Sequence, residues 1–192
     1  MERPAVFIDR DGTINEQMGY VNHISRFVLL PMTAEAIKLL NEQHYLVIVV
    51  SNQSGVARGY FPIDLVNEVH ETMKRSLMER GALIDSIFFC PHLPQGEIKE
   101  YGIRCDCRKP MTGMIDQARK SFDIDMESSY VIGDQYTDIE LARRAGLKGI
   151  LVRTGYGRGE EKYTLPKKPF KPIHIADDLL DGVRWIIERN NI

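Results

Sequence analysis

Leu46-Val47-Ile48-Val49-Val50 is apolar without interruption and β-branched at four of its five positions. A strand with one face in water alternates apolar and polar residues. This run does not, so both of its faces have to be covered, as in a parallel sheet flanked by helices. The rest of the chain agrees. Short apolar runs at Ala5–Ile8, Ser86–Phe89, Tyr130–Ile132 and Gly149–Val152 alternate with helical stripes. The stripes are Ala36, Ile37 and Leu40 behind Thr33 as an N-cap; Leu65, Val66, Val69, Met73 and Leu77 between Pro62 in a first turn and Gly81; Met114, Ile115, Ala118 and Phe122; and Ile139, Ala142 and Ala145 before Gly146. A short strand Ile173–Ile175 and a helix marked by Leu179, Leu180, Val183, Ile186 and Ile187 close the chain. Residues 155–172 hold three Gly and three Pro among many charges and read as a surface loop. The pattern predicts an α/β, Rossmann-like, doubly wound and mostly parallel sheet. With 192 residues and no linker or repeat, residues 1–192 are expected to form one domain.

Charge and composition exclude several partners. Lys plus Arg is 25 and Asp plus Glu is 27, a net charge of −2, so nothing draws the whole chain to nucleic acid or an anionic membrane. The densest basic stretch, Lys162, Lys167, Lys168 and Lys171, lies among prolines and reads as solvated. No run approaches the roughly 20 apolar residues of a membrane helix. The N-terminal apolar run stops at Asp9, too short for a secretory signal. A cytoplasmic protein is expected, and no oligomeric interface is legible, so it is read as a monomer. The three cysteines cannot all pair with one another within the chain.

Four strand ends carry unusual chemistry: Asp9-Arg10-Asp11-Gly12-Thr13, Ser51-Asn52-Gln53-Ser54-Gly55, Arg108-Lys109-Pro110, and Gly133-Asp134 with Asp138 four residues on. In a doubly wound sheet ligands bind beyond the carboxyl ends of the strands, so these segments converge on one crevice. Carboxylates brought together repel and call for a cation; hard oxygen donors suit Mg²⁺. One carboxylate can attack phosphorus, and a second two residues on can protonate the leaving oxygen. Any one of these residues alone is more often a turn former. The calcium-loop alternative fails because its sixth position, counted from Asp9, is Ile14 rather than Gly.

In this order and spacing the chain resembles the haloacid-dehalogenase superfamily. By that resemblance Asp9 is the nucleophile and Asp11 the general acid/base; Asp9, the main-chain carbonyl of Asp11, and Asp134 hold Mg²⁺; Ser51 and Lys109 bind the transferring phosphoryl group; Asp138 orients Lys109 or a water on the magnesium. Aspartate at the second motif position points to a phosphatase. About thirty residues separate the first motif from the second strand, which leaves no room for a lid domain and implies a capless enzyme. Water is then excluded by the loops 15–26, 55–61 and 90–107, with Tyr20, Tyr60 and Phe61 as walls.

Cys90-Pro91-His92 and Cys105-Asp106-Cys107 flank twelve residues, 93–104, of non-periodic chain. Three thiolates and an imidazole make a closed four-coordinate Zn²⁺ site of the structural kind, in a loop spanning 90–107. Cys107 leads directly into Arg108-Lys109, so a metal there would fix the register of both cations. With this loop, Ile8–Asn15 and Ser51–Gly59, the chain resembles the branch of the superfamily that holds the heptose bisphosphate and histidinol-phosphate phosphatases. That implies a small phosphorylated sugar or metabolite as substrate. By position it would touch Gln17, Met18, Gly19, Tyr20, Ser51, Asn52, Gln53, Ser54, Arg108, Lys109 and Gln135, with Arg58 and Arg108 available for a distal anion. The heptose pattern carries Gly-Asp-Lys where this chain has Gly133-Asp134-Gln135, one cation fewer beside the metal. A non-catalytic zinc-stabilised binding module is the remaining alternative, and the intact Asp9, Asp11, Ser51, Lys109 and Asp134 argue against it.

Overall fold

The computed structural model of the chain describes residues 2–190. Strands β1 (Arg3–Ile8), β2 (Leu46–Asn52), β3 (Ser86–Cys90), β4 (Ile124–Gly133), β5 (Lys148–Val152) and β6 (His174–Ala176) form one sheet in the order β3-β2-β1-β4-β5-β6. Every neighbouring pair is parallel. The helices are α1 (Thr33–Glu42), α2 (Ile63–Met78), α3 (Gly113–Ser121), α4 (Tyr136–Arg144), the short α5 (Gly157–Gly159) and α6 (Leu179–Asn190).

Alternate residues of the same strand serve two cores. Val6, Ile8, Val47 and Val49 face one side with Ala36, Ile37 and Leu40 of α1, Met73 and Leu77 of α2, and Val183 and Ile186 of α6. Ala5, Phe7, Ile48 and Val50 face the other with Met114, Ile115 and Ala118 of α3 and Leu141 and Ala142 of α4. This double covering is why the apolar run of β2 is unbroken. After β3 the chain returns across the sheet to lay β4 on the free side of β1. The topological switch therefore falls between β1 and β4, and a crevice opens beyond their carboxyl ends. Between β1 and α1 the only helical segment is a 3-10 turn, Ile24–Arg26, so the architecture is capless. No helix among the described residues is long and apolar enough to cross a membrane.

Three local expectations need correction. Thr33 is not an N-cap: Met32 occupies that position in the left-handed region, and the Thr33 hydroxyl donates to the Ile14 carbonyl at 3.1 Å, tying α1 to the first motif. Strand β4 begins at Ile124 rather than Tyr130. Its register against β1 jumps from Pro4↔Asp125 to Val6↔Tyr130, and the Ser129 hydroxyl accepts the Ala5 N–H at 2.8 Å across the irregularity. The bulge breaks the strand period that pattern reading depends on. Residues 155–172 are not simply a surface loop. Gly157–Gly159 runs into a π-helical turn, Glu160–Thr164, and a 3-10 turn, Leu165–Lys167. Leu165 is buried against Tyr136, Ile139 and Leu151, and Arg153 binds Glu161 at 2.8 Å and Asp177 at 2.7 Å. One buried apolar residue in eleven, 157–167, leaves no stripe to read.

Candidate active site

Asp9 follows β1 directly, with its N–H donating to Ile132 of β4 at 2.9 Å. Asp134 follows β4, and Asp138 lies in the first turn of α4. Lys109 reaches in between them. Its ammonium lies 2.6 Å from Asp9 Oδ1 and 2.7 Å from Asp138 Oδ1, and donates to the Val50 carbonyl at 3.0 Å. Asn52, at the end of β2, holds the lysine's backbone from both sides: its amide donates to the Lys109 carbonyl at 3.2 Å and accepts the Lys109 N–H at 3.0 Å. Asp138 also accepts the Gln135 N–H at 3.2 Å, anchoring the start of α4.

One cation for three buried carboxylates leaves the cluster short of positive charge. Burial, opposed by the Lys109 charge and reinforced by Asp138, raises the Asp9 carboxyl to about 7. Burial and the charges of Asp9 and Asp138 raise Asp134 to about 8. Burial pushes the Lys109 ammonium down, but Asp138 and Asp9 more than reverse this and hold it charged. One oxygen of each of Asp9, Asp134 and Asp138 lies within 4.8 Å of the others. Asp134 Oδ1 is buried with no hydrogen-bond partner, while Oδ2 accepts the Tyr156 N–H at 2.8 Å. An orphaned oxygen in a crowd of hard donors fits a small divalent cation such as Mg²⁺.

Glycines let the backbone close over this cluster. A Cβ on Gly12, whose φ is +88°, would fall 2.2 Å from Asp134 Oδ2; one on Gly155 would fall 2.1 Å from the same oxygen. Thr154 fastens the two loops by donating to the Gly12 carbonyl at 2.6 Å. Gly12→Ala combines a left-handed backbone with a clash against the buried carboxylate. We expect it to cost about 3 kcal/mol in a denaturation titration; a shift below about 1 kcal/mol would show that Asp134 can retreat.

Asp11 stands apart from the carboxylate cluster. Arg10 Nη2 donates to both of its oxygens, at 2.8 and 2.7 Å, Asn15 donates to Oδ1 at 3.0 Å, and Gln53 to Oδ2 at 2.8 Å. Burial pushes the Asp11 carboxyl up, but the Arg10 charge and these hydrogen bonds outweigh it and leave it below the usual carboxylate range. Gln53 also donates to Ser51 Oγ at 2.7 Å, so one amide joins the two positions.

These groups border a cavity of about 320 Å³. Asp9, Asp11, Ser51 and Lys109 line its floor, and Gln17, Gly19, Tyr20, Asn52, Gln53, Ser54, Arg108 and Gln135 its sides. Asp134 and Asp138 lie beneath the surface. Met18 does not line the cavity: its carbonyl accepts from Arg26 and the neighbours on either side face inward instead. Arg58 does not line it either. Of the proposed walls only Tyr20 does; Tyr60 packs on it edge-on at 5.0 Å and Phe61 at 6.3 Å. Val21, Thr137 and Tyr156 line the cavity unforeseen. Tyr156 could not be anticipated from a stretch that reads as loop, whereas Thr137 follows from the first turn of α4.

Beside the cavity, the sulfurs of Cys90 and Cys105 lie 3.5 Å apart, those of Cys105 and Cys107 3.3 Å, and His92 Nδ1 lies 3.3 Å from Cys107 and 3.7 Å from Cys90. The cysteines are free thiols. Zinc–ligand bonds of about 2.3 Å to sulfur and 2.0 Å to nitrogen put tetrahedral donors roughly 3.5–3.8 Å apart, so the four groups can close around one metal ion. Arg108 Nη1 donates to the His92 carbonyl at 3.2 Å, which couples this cluster to the cavity wall.

A strand that ends on a buried aspartate at the switch point, met by a lysine and two aspartates from neighbouring elements, matches the haloacid-dehalogenase-like hydrolases. The HAD-hydrolase-like family model matches residues 106–182. A crystal structure of D,D-heptose 1,7-bisphosphate phosphatase from B. bronchiseptica, complexed with magnesium and phosphate, superposes with a TM-score of 0.84 at 31% identity, covering 97% of this chain and 99% of that one. The D-glycero-D-manno-heptose-1,7-bisphosphate 7-phosphatase of Thermosynechococcus vestitus is 41% identical over 192 residues, 97% of this chain and 96% of its own. The D-glycero-beta-D-manno-heptose-1,7-bisphosphate 7-phosphatase of Haemophilus ducreyi is 45% identical over 86% of this chain and 93% of its own. The chain belongs to the heptose bisphosphate phosphatase family.

Proposed function

We propose that the chain hydrolyses the C7 phosphate of D-glycero-D-manno-heptose 1,7-bisphosphate through an aspartyl-phosphate on Asp9. The observation that carries this reading is the Asp9–Lys109–Asp138 cluster with the orphaned Asp134 oxygen, set under a cavity floored by Ser51 and Asp11. Asp9, Asp134 and the Asp11 carbonyl would hold Mg²⁺. That ion, when bound, supplies positive charge to the phosphoryl oxygens. Ser51 and Lys109 bind the phosphoryl group. Against burial, Arg10 favours the ionised Asp11 in the free enzyme, so Asp11 takes up the proton that the phosphate monoester carries as its monoanion. An Asp9 oxygen then bonds to phosphorus as the bond to the sugar oxygen breaks, and Asp11 gives that oxygen the proton. Asp11, now ionised, takes a proton from the water that displaces Asp9 from phosphorus. Asp138 holds Lys109 in place. Gln17, Gly19, Tyr20, Arg108 and Gln135 surround the sugar. The substrate is tested by kcat/KM with Mg²⁺ on both anomers of the bisphosphate and on histidinol phosphate. A preference for the heptose of ~10²-fold, about 2.7 kcal/mol, is expected. A preference for histidinol phosphate would overturn the substrate but not the chemistry.

Cys90, His92, Cys105 and Cys107 hold Zn²⁺ in this reading, with no open coordination position and hence no direct part in the reaction. The loop has few apolar residues to order it, and the metal sets Arg108 and Lys109 in register. Stripping zinc is expected to lower kcat while leaving the magnesium concentration for half-maximal activity unchanged. Full activity with Mg²⁺ alone would overturn the role. The same reading takes residues 1–192 as one domain, acting as a monomer in the cytoplasm.

A further inference from the structure

His70 sits in the apolar stripe of α2, 5% exposed, and the reaction as written does not use it. It is nonetheless the far end of a buried polar chain that finishes at Asp11. Its Nε2 lies 3.2 Å from Arg10 Nη1, and Arg10 is itself 1% exposed. A guanidinium can only donate, so Nε2 accepts and the ring proton sits on Nδ1. Burial, then the Arg10 charge, depress the imidazole to about 3, so it stays neutral and fit to accept. Phe89 of β3 holds the ring edge-on at 5.2 Å. From the other end of the same guanidinium, Nε and Nη2 donate to the Asp11 carboxylate, and Nη2 also reaches Gln53 Oε1 at 3.2 Å.

A planar fork pinned at Nη1 has one orientation left for its Nε–Nη2 edge, and that edge sets the plane of the Asp11 carboxyl. We propose that His70 is a positioning residue for general acid catalysis: through Arg10 it aims the Asp11 carboxyl at the leaving oxygen. The inference rests on the reading of Asp11 as the acid. Its effect must therefore scale with how much the leaving group needs a proton. A sugar alkoxide needs one; a nitrophenolate leaves without.

The test compares kcat/KM on D-glycero-D-manno-heptose 1,7-bisphosphate with kcat/KM on p-nitrophenyl phosphate, in the magnesium-loaded full chain. This constant covers the steps through leaving-group departure. The ratio of the two also cancels the fraction of folded enzyme, so a destabilised variant remains informative. His70→Leu removes the acceptor and is expected to lower the ratio ~10-fold. His70→Gln can place its Oε1 near the position of Nε2 and is expected to restore most of the ratio. Asp11→Asn is the reference and should lower it by ~10²-fold or more. An unchanged ratio in His70→Leu, or no recovery in His70→Gln, overturns the positioning role while Asp11 keeps its own. An unchanged ratio in Asp11→Asn overturns the reading of Asp11, and the inference with it.

Discussion

Asp9→Asn is expected to lower kcat by ~10⁴-fold or more while leaving the fold intact. The side chains are the same size, and an amide oxygen can still accept from Lys109, now at 2.6 Å from Asp9 Oδ1. What the amide cannot do is form the bond to phosphorus. A second effect has the opposite sign. The Asp9 carboxyl is raised to about 7, above its unfolded value. Its contribution to stability is therefore complete at acid pH and is lost as pH rises through the folded value; Asp134, raised to about 8, behaves the same way. Magnesium-free enzyme should lose melting temperature between about pH 4 and 8, and the asparagine variant should lose less. Phosphatase activity within about tenfold of the parent would remove Asp9 as the nucleophile. An equal pH slope in the two proteins would show that Asp9 does not carry the buried charge deficit.

Lys109→Met is expected to damage stability and turnover together. Methionine fills nearly the same volume without charge. It leaves the Oδ1 atoms of Asp9 and Asp138 facing one another without their cation, in a site where the lysine side chain is 3% exposed. Removing one partner of a buried ion pair costs about 3–5 kcal/mol. In a domain of this size that corresponds to roughly 10 °C in melting temperature. In the proposed reaction the lysine also binds the phosphoryl group where charge develops, so kcat/KM should fall ~10³-fold. Thermal denaturation and steady-state kinetics on one preparation check both. A stable but inactive variant would assign Lys109 to the substrate alone; an unstable but active one would assign it to the cluster alone.

Much of this site was legible because strand ends are cheap to read. Ala5–Ile8 and Tyr130–Ile132 are continuous apolar runs, and the sheet rule carries Asp9 and Asp134 to one edge whatever the intervening chain does. That Cys90, His92, Cys105 and Cys107 come together was legible for a related reason: the twelve residues between the two pairs carry no periodic apolar pattern, so the thiols and the imidazole stand out. The direction in which a side chain turns was not legible. Asp11 is held by Arg10, Asn15 and Gln53, and Gln53 arrives from the end of another strand. His70 carries no sequence signal of its own, because it occupies a position of the α2 stripe where an apolar residue would serve equally well. Met18 was placed in the cavity by its neighbours, Gln17 and Gly19, but in this irregular loop position does not settle which side chain faces in. The bulge in β4 depends on the Ser129 hydroxyl substituting for a ladder partner, which has no periodic signature.

The place of β1 in the sheet also governs how the chain must be made. Its partner on one side is β2, but its partner on the other is β4, so that Val6 meets Tyr130. While the chain is being synthesised, β1 can pair with β2 and then wait as the open apolar edge of a three-stranded half-sheet. Once Cys90 has emerged, roughly 40 further residues must follow before Gly133 is out, about four seconds at ordinary translation speeds. During that interval the edge bearing Asp9 is the surface most able to pair with another nascent chain. Lys109 and Asp134 arrive only within the same late stretch. Closing that edge and assembling the cluster are thus one event, and a chain released early has neither a finished sheet nor the means to hydrolyse a phosphate ester.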